Sequence, residues 1–255
     1  MKILTLNIAH GQQFSSLIPF IQKQASKTDI FCFQEVFFGH EAKFTEAQHA
    51  RLNIYDELSK VLTDFNPYTY KAPVTARYFY HELLPNGIQG GLATFVNKKI
   101  KVKDKGGFRC YKSDNFPGFD FGAKLTGNCQ WIEVSGLTIM NLHGIYQRDT
   151  NKLDTKARFQ QAQIIKKFIN SRVTKVILCG DFNLLPNNRS LVLLEENMIN
   201  LIKKYRIKST RSDFYTGKHK YADYVLTTPN IKINRFKIIN KQVSDHLPMV
   251  VEIEL

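Results

Sequence analysis

The sequence predicts a layered fold that mixes α-helices and β-strands. Three observations indicate it: apolar runs of strand length recur along the chain, stretches with helical apolar spacing lie between several of them, and other runs are joined by short turns. A chain of 255 residues with 43% hydrophobic content can bury one sizeable core. Because no linker, repeat or low-complexity segment interrupts it, we expect a single domain over residues 1–255.

The amino-terminal half begins with two strand-like runs that end in polar residues, KILTLN at 2–7 and DIFCFQE at 29–35. Residues 14–26 lie between them and have helical spacing, and residues 48–62 repeat that spacing in an amphipathic pattern. The runs GGLATFVN and IKVK, within residues 90–103, have only a short break between them. This arrangement predicts a hairpin.

The carboxy-terminal half continues the alternation. Residues 130–144 hold two runs joined by Ser135 and Gly136, which predicts a second hairpin. Residues 155–170 have helical spacing, with Asp154 or Thr155 as the cap. The remaining predicted elements are a buried strand at 176–179, a short helix near 190–197, and strands at 221–228 and 248–255. Together they indicate α/β or α+β layers.

The charge of the chain is basic and uneven. Its 36 Lys and Arg against 22 Asp and Glu give a formal charge of +14. Residues 1–96 carry 8 basic and 8 acidic side chains, whereas residues 97–255 carry 28 and 14. A one-sided positive field attracts polyanions, so nucleic acid is an expected partner and anionic lipid headgroups are an alternative. The alternative interpretation, which composition favours equally, is that the lysines only solvate the surface.

The cysteines and the amino terminus bear on the compartment. The four cysteines show no metal-type spacing, and Cys32 and Cys179 lie inside apolar runs, so neither a disulfide framework nor a zinc site is expected. MKILTLN is too short and polar for a signal peptide, and no apolar run approaches the roughly 20 residues of a membrane span. We expect a cytoplasmic monomer without a transmembrane segment.

Polar residues recur where the apolar runs end. They are Asn7, Gln34 with Glu35, Asn141 with His143, Asp181 with Asn183, and Asp245 with His246. Residues at i and i+2 of an extended segment point the same way, so Asp181 and Asn183 are predicted to aim together while Phe182 turns away. One such pair is ordinary turn chemistry. Five polar groups at the ends of apolar runs, counting Asp245 and His246 just before the last run, indicate a functional site.

The residue types suit hydrolysis of a phosphate ester assisted by Mg²⁺ or Mn²⁺. A hard divalent cation prefers oxygen ligands, and a bound cation stabilises charge on the phosphoryl and leaving oxygens. Glu35 is the first candidate ligand, with Asn7 and Asp245 in the same role. Asp181, with Asn183 beside it, would orient or deprotonate the attacking water.

The remaining candidates would donate protons and stabilise the charge of the phosphate. His246 would donate to a phosphate oxygen, with Asp223 fixing its tautomer, and His143 would be a second donor. Arg158 and Arg211 are candidate substrate-binding residues, because a guanidinium contacts phosphate in a bidentate way. His10 and His219 carry no motif support, so we interpret them as packing or surface residues.

The motifs LTLNIAHG, FCFQEV, IMNLHG, LCGDFNLLP, YADYVL and VSDHLP occur in the order found in the endonuclease/exonuclease/phosphatase superfamily, which the chain resembles from Asn7 to His246. GDFN followed about sixty residues later by SDH is the specific part. The resemblance implies a four-layer α/β sandwich, two central mixed β-sheets flanked by helices, with the site at one edge. It also implies Mg²⁺- or Mn²⁺-dependent phosphoester cleavage.

The roles that the resemblance implies agree with those above. Asn7 and Glu35 would serve the metal with Asp245 in its environment; His143 and Asn183 would position the phosphate, Asp181 would activate water, and Asp223 would orient His246.

Departures from the family pattern narrow the expected substrate. Ala9 stands where abasic-site endonucleases usually have an acidic residue, and LCGDFNLLP lacks the Trp and Tyr-Arg of the inositol phosphatases. We therefore expect a phosphodiester hydrolase, a nuclease acting on DNA or RNA. The alternatives are a phosphatase or phosphodiesterase for a small metabolite or lipid headgroup, and a non-catalytic nucleic-acid-binding member of the fold.

Overall fold

Two six-stranded mixed sheets stack face to face in the computed structural model, which describes residues 1–39, 50–73, 78–79, 82–84, 87–111, 126–147 and 150–255. The first sheet contains, in spatial order, β13 (Ile233–Ile238), β14 (Met249–Ile253), β1 (Lys2–Asn7), β2 (Ile30–Phe37), β6 (Gln89–Asn97) and β3 (Phe65–Pro73). The second contains β11 (Ile199–Asn200), β12 (Asp223–Thr227), β10 (Lys175–Asp181), β9 (Leu137–His143), β8 (Asn128–Val134) and β7 (Val102–Arg109). The predicted mixed sheets are confirmed.

Short elements complete the described part. A two-stranded ribbon joins β4 (Tyr78–Phe79) to β5 (Glu82–Leu83). The helices are α1 (Phe14–Ala25), α2 (Ile54–Val61), α3 (Lys156–Asn170), α4 (Arg189–Glu195) and α5 (Leu201–Lys204), with a 3₁₀ turn at Ala9–Gly11. Among these described helices, none is long and apolar enough to cross a membrane.

Each sheet has one parallel pair at its centre, and this pairing determines where the polar strand ends meet. β1 is parallel to β2, β9 is parallel to β10, and the other pairs of neighbouring strands within the two sheets are antiparallel. The carboxyl ends of parallel strands lie at one edge of a sheet, the usual ligand position in α/β folds. Asn7, Glu35, His143 and Asp181 lie at or near these ends.

Alternation along the strands explains why the central runs are apolar on both faces. Ile3 and Cys32 face the core between the two sheets, whereas Leu4 and Phe33 face α1, where they join Leu17 in a second core cluster. Buried strands of this kind read as continuous apolar runs instead of polar–apolar alternation. All four cysteines are buried and free.

A buried polar layer between the sheets lies directly behind the site. Gln34 Nε2 donates to Asn141 Oδ1 at 2.6 Å and to Thr5 Oγ1 at 3.2 Å, and Asn141 Nδ2 donates to the Phe33 carbonyl at 3.1 Å. Buried polar groups are tolerated when they are hydrogen-bonded. Two of the polar strand ends, Gln34 and Asn141, therefore join the sheets behind the site.

Several predicted elements need correction. The hairpin predicted within 90–103 is wrong: β6 pairs with β2 and β3, whereas β7 pairs with β8 in the other sheet, so the turn between them crosses from sheet to sheet. The helix predicted at 48–62 is described from Ile54 to Val61, and residues 48–49 lie outside the described residues. The described helix after residue 155 is capped by Thr155 Oγ1, which accepts from Arg158 N.

Candidate active site

The polar ends of the two parallel pairs converge on two carboxylates. Asn7 Nδ2 donates to Glu35 Oε1 at 2.9 Å and to Asp181 Oδ2 at 3.1 Å, so one carboxamide joins a residue of the first sheet to one of the second. His143 Nε2 lies 3.5 Å from Glu35 Oε1 and 3.9 Å from Asp181 Oδ2. The predicted convergence of these four side chains is therefore present.

Glu35 reaches this position through an irregularity in its strand. The pairing of β2 with β6 shifts register between Phe33 and Val36, and Glu35 has a left-handed φ of 57°. Non-glycine residues adopt such φ values at a cost that surrounding structure must offset, and they cluster at functional sites. Burial alone would raise the pKa of Glu35, but the charges of His10 and His143 and the hydrogen bond from Asn7 lower it below its ordinary value.

Asp181 ends β10 next to a glycine that no other residue could replace. Gly180 has a φ of 129°, and a Cβ there would lie 2.1 Å from the Leu142 carbonyl oxygen on β9. Burial alone would raise the pKa of Asp181, but the charges of His246 and Lys152 outweigh it and hold the pKa well below its usual range. Asp181 is therefore ionised at neutral pH.

The side chains of Asp181 and Asn183 are related by a turn, which corrects the extended geometry predicted for them. β10 ends at Asp181, Asn183 has a φ of 53°, and Asn183 N donates to Asp181 Oδ1 at 2.8 Å. Asn183 Nδ2 donates to the Gly144 carbonyl at 3.1 Å, and Phe182 packs on Tyr224 in the core. Aspartate side chains commonly form such turns with their own backbone.

His246 and Asp223 form a buried pair beside Asp181. His246 Nδ1 lies 2.8 Å from both Asp223 oxygens, and His246 Nε2 lies 3.7 Å from Asp181 Oδ2. Asp223 is directly opposite Asp181 in the antiparallel register of β12 and β10. Burial and the charge of Arg211 lower the pKa of His246, but Asp223 and Asp245 outweigh them, so its pKa is raised above 6.5.

Asp245 and Arg211 form an ion pair next to His246 and Asp223. Arg211 Nη1 donates to Asp245 Oδ2 at 2.7 Å and lies 2.5 Å from His246 Nε2. The Arg211 guanidinium also lies over the Tyr215 ring, 4.2 Å from its centroid. Arg211 is thus beside the proposed proton donor, and Asp245 is occupied by Arg211 in this conformation.

Comparison with known proteins decides the family. The sequence matches the profile of the Endonuclease/Exonuclease/phosphatase family over residues 4–246. The chain belongs to this family. No curated protein matches it by sequence.

Solved structures share the family fold with this chain at low identity. A mannosyl-6-phosphatase of Bacteroides thetaiotaomicron VPI-5482 is 16% identical with a TM-score of 0.71, and each chain is covered completely. An endonuclease/exonuclease/phosphatase family protein from Leptotrichia buccalis C-1013-b is 20% identical with a TM-score of 0.69, again over the whole of both chains. The human Nocturnin catalytic domain is 16% identical with a TM-score of 0.63, covering 100% of this chain and 93% of that domain.

Members of the endonuclease/exonuclease/phosphatase family are phosphoester hydrolases that generally use a divalent cation, and the described residues fit one. Two groups have ligand atoms within 4.8 Å of one another: Glu35, His143 and Asp181, and Asp181, Asp223 and His246. The first brings together two buried or half-buried carboxylates, the oxygen donors that Mg²⁺ and Mn²⁺ prefer.

Two of the predicted ligands have other partners in this conformation. Asn7 Oδ1 accepts from Ala9 N at 2.9 Å, and its Nδ2 faces the carboxylates as a donor. Asp245 pairs with Arg211. The metal roles of Glu35, Asn7 and Asp245 remain predictions, and Glu35 has the geometry that supports its role best.

Arg158, which was predicted to bind substrate, lies in the interior and bonds to the loop after β9. It is fully buried, and its guanidinium donates to the carbonyls of Ile145 at 3.4 Å and Leu153 at 2.5 Å and to Thr150 Oγ1 at 2.9 Å. These bonds attach the loop after β9 to α3. Arg158 therefore supports the site through that loop.

Sequence reasoning missed two residues of the site, His10 and Lys152. His10 Nε2 lies 3.1 Å from Glu35 Oε2, and its ring stacks on Phe37 with centroids 4.3 Å apart. Lys152 is buried, and its Nζ lies 3.4 Å from the carbonyl of Tyr221, two residues before Asp223. Both have left-handed φ values, 54° and 58°. His10 lies within the LTLNIAHG motif but has no role assigned from it, and Lys152 lies in none of the motifs. Their placement depends on backbone turns that spacing does not reveal.

Replacement of His10 by leucine is expected to weaken Mn²⁺ binding by about 10- to 100-fold, the usual effect of removing a partner that orients a metal ligand. The reason is the loss of the 3.1 Å contact that orients Glu35. Glutamine at this position, which can still donate to Glu35, should retain more affinity than leucine. Calorimetric titration with Mn²⁺ tests this, and equal affinities for wild type and the leucine variant would contradict it.

Asp223→Asn is expected to lower the pKa of His246 in the metal-free protein, because the Asp223 carboxylate is a main cause of its raised value. The raised pKa means that His246 contributes stability that is present below 6.5 and is lost as pH rises through the folded pKa. NMR titration of the imidazole resonances measures the pKa of His246 in both proteins, with His219 as the internal control. An unchanged His246 titration would be inconsistent with the pairing.

Proposed function

We propose that this chain hydrolyses phosphate esters with a divalent cation, by attack of a water molecule oriented by Asp181. The observation that carries the proposal is the position of Asp181, within hydrogen-bonding distance of Asn7 on the first sheet and 3.7 Å from the His246–Asp223 pair on the other side. One cluster, at the carboxyl ends of the parallel strands, would thus orient the water, stabilise charge and donate a proton.

The low pKa of Asp181 favours a role in orienting the attacking water over a role as a strong general base. A carboxylate that is ionised throughout the neutral range accepts a hydrogen bond from water well but is a weak base. Asp181 would therefore mainly orient the attacking water, and would take up its proton only as bond formation to phosphorus makes that water more acidic. Asn183, fixed by its contacts to Asp181 and Gly144, would contact the phosphate beside it.

His246 would act on the opposite side of the phosphate. Its Nδ1 is held by Asp223, and the raised pKa favours the imidazolium, in which Nε2 carries the second proton. Arg211 Nη1 lies 2.5 Å from Nε2 in this conformation, so the guanidinium would have to turn from Nε2 to the phosphate before that proton is donated. His246 would donate to a non-bridging oxygen or to the leaving group. A divalent cation held by Glu35 would supply Lewis-acid stabilisation of the charge that develops on the phosphoryl oxygens.

A nucleic-acid substrate is the second candidate, and the fold supports it only in part. Lys98, Lys99 and Lys101 follow β6 at the end remote from the site. That end is identified by Asn97 N, which donates to the carbonyl of Asp29 just before β2. The other basic region does approach the site: Lys203, Arg206 and Lys208 line a surface pocket of ≈ 230 Å³ with Tyr221, whose carbonyl contacts Lys152. That pocket is where a second backbone phosphate of a polynucleotide would bind.

The experiment is a substrate panel under controlled metal. Labelled single- and double-stranded DNA and RNA, a bis-aryl phosphodiester and an aryl phosphate monoester are incubated with Mg²⁺, Mn²⁺ or chelator. We expect metal-dependent turnover of at least one phosphate ester. Cutting of polynucleotides that weakens steeply with salt would support the second candidate. Turnover that persists in chelator would refute the proposed mechanism.

A further inference from the structure

A buried lysine enters the site from the loop between β9 and α3. Lys152 is only 6% exposed. Within the described part of the chain its Nζ makes one hydrogen bond, a long one of 3.4 Å to the Tyr221 carbonyl. An ammonium group has three donors. Lys152 therefore has donor capacity left at the position where Asp181 and Asp223 lie nearby.

The loop is built to hold Lys152 in place. Asn151 and Lys152 have left-handed φ values of 49° and 58°, a conformation that costs free energy and persists only where the surroundings enforce it. Arg158 donates to Thr150 and Leu153 on either side, and Asn188 Nδ2 donates to the Lys152 carbonyl at 2.7 Å. Fixing a strained backbone around one inward-directed cation is typical of a functional position.

The electrostatics of Lys152 agree with a ligand-binding role. Burial lowers its pKa to about 8, assisted by the positive charge of Arg211, while Asp181 and Asp223 oppose the shift. The ammonium thus stays mostly charged at pH 7. Arg211 is the second fixed cation of this region, with a side chain 8% exposed. Two nearly buried cations therefore lie among the carboxylates beside the His246–Asp223 pair, where they would offset the negative charge that an incoming phosphate meets.

We propose that Lys152 binds a non-bridging oxygen of the substrate phosphate and, with Arg211, selects a terminal phosphate monoester over a phosphodiester; this rests on the proposed function. A terminal phosphate carries close to two negative charges near neutral pH and has three acceptor oxygens. A diester carries one charge and has two non-bridging oxygens. Charge-assisted hydrogen bonds to ammonium and guanidinium groups therefore favour the monoester.

The alternative is that Lys152 only neutralises the buried carboxylates. In that case its removal would change stability, or affect all substrates equally. Lys152→Met separates the two possibilities, because it keeps the length and the apolar stem of the side chain and removes the charge. Lys152→Arg keeps the charge and serves as the second variant if the methionine variant does not fold. Lys175→Met, at the opposite end of β10 from Asp181, is the matched control.

The kinetic test compares kcat/KM for p-nitrophenyl phosphate and bis-p-nitrophenyl phosphate. Loss of one charge-assisted hydrogen bond is expected to lower kcat/KM for the monoester by about 10- to 100-fold in Lys152→Met. The diester should lose much less, and Lys175→Met should match wild type. Equal losses on both substrates would overturn the selection of monoesters, and no loss on either would overturn substrate contact.

A binding test makes the inference independent of turnover. Calorimetry measures inorganic phosphate and dimethyl phosphate binding to wild type, Lys152→Met and Lys152→Arg. We expect wild type and the arginine variant to prefer inorganic phosphate, and the methionine variant to lose that preference. One outcome is that wild type hydrolyses none of the substrates, yet prefers inorganic phosphate and loses that preference in Lys152→Met. The proposed function then fails, and the role of Lys152 stands. If turnover is found but the preference is absent or insensitive to Lys152, the inference fails alone.

Discussion

Asp181→Asn is expected to lower kcat for phosphoester hydrolysis by about 10³-fold, within the range found for removal of a group that accepts a proton in the transition state. Asparagine keeps the size of the side chain and one oxygen that can accept from Asn183 N, a bond of 2.8 Å in the wild type. What it removes is the negative charge that faces His246 and Lys152 and orients the water. The loss should therefore fall on kcat far more than on KM.

Asp104→Asn is the matched control for this prediction. Asp104 is an exposed aspartate on β7, an edge strand of the second sheet, and has no contact with the site. We expect it to have wild-type kcat and KM. Circular dichroism and thermal unfolding of both variants show whether the fold is intact. A folded Asp181→Asn enzyme with more than about a tenth of wild-type kcat would exclude the role given to Asp181.

His246→Gln and Asp223→Asn are expected to lower kcat by about 10²- to 10³-fold each, and the double variant by little more than the worse single one. The two residues act as one unit, because Asp223 contacts His246 Nδ1 at 2.8 Å and determines which nitrogen carries the proton toward the phosphate. A complete double-mutant cycle of kcat measures the coupling. Additive effects would mean that the two side chains act separately.

The pH dependence gives a second measure of the same pair. Activity that needs protonated His246 should fall as pH rises through its raised pKa. In Asp223→Asn this basic limb should move to lower pH, because the charge that raises the pKa is gone. Asp181 is ionised already well below neutral pH, so its protonation should not produce a limb between pH 5 and 8. A limb that stays in place in Asp223→Asn would contradict the assignment.

Elements whose signal is local were predicted well from the sequence. Apolar runs and polar strand ends located β1, β2, β9 and β10 within a few residues, because period and burial are local properties of a strand. The sheet partner of a strand is a long-range property, and the predicted hairpin of β6 with β7 failed for that reason: neighbours in sequence were assumed to be neighbours in the sheet. Similarly, the i and i+2 rule failed for Asn183 because β10 ends at Asp181.

Motifs and their spacing predicted the family, the layered α/β class and the set of carboxylates, amides and histidines at or near the strand ends. The folded chain shows which of these side chains are in contact, and it adds His10 and Lys152 to them. It also shows that the Arg158 guanidinium bonds to the loop after β9. The physical reason is that contact and charge depend on backbone turns and burial. Left-handed residues such as Glu35 and Lys152 are enforced by distant parts of the chain, and no local pattern encodes them.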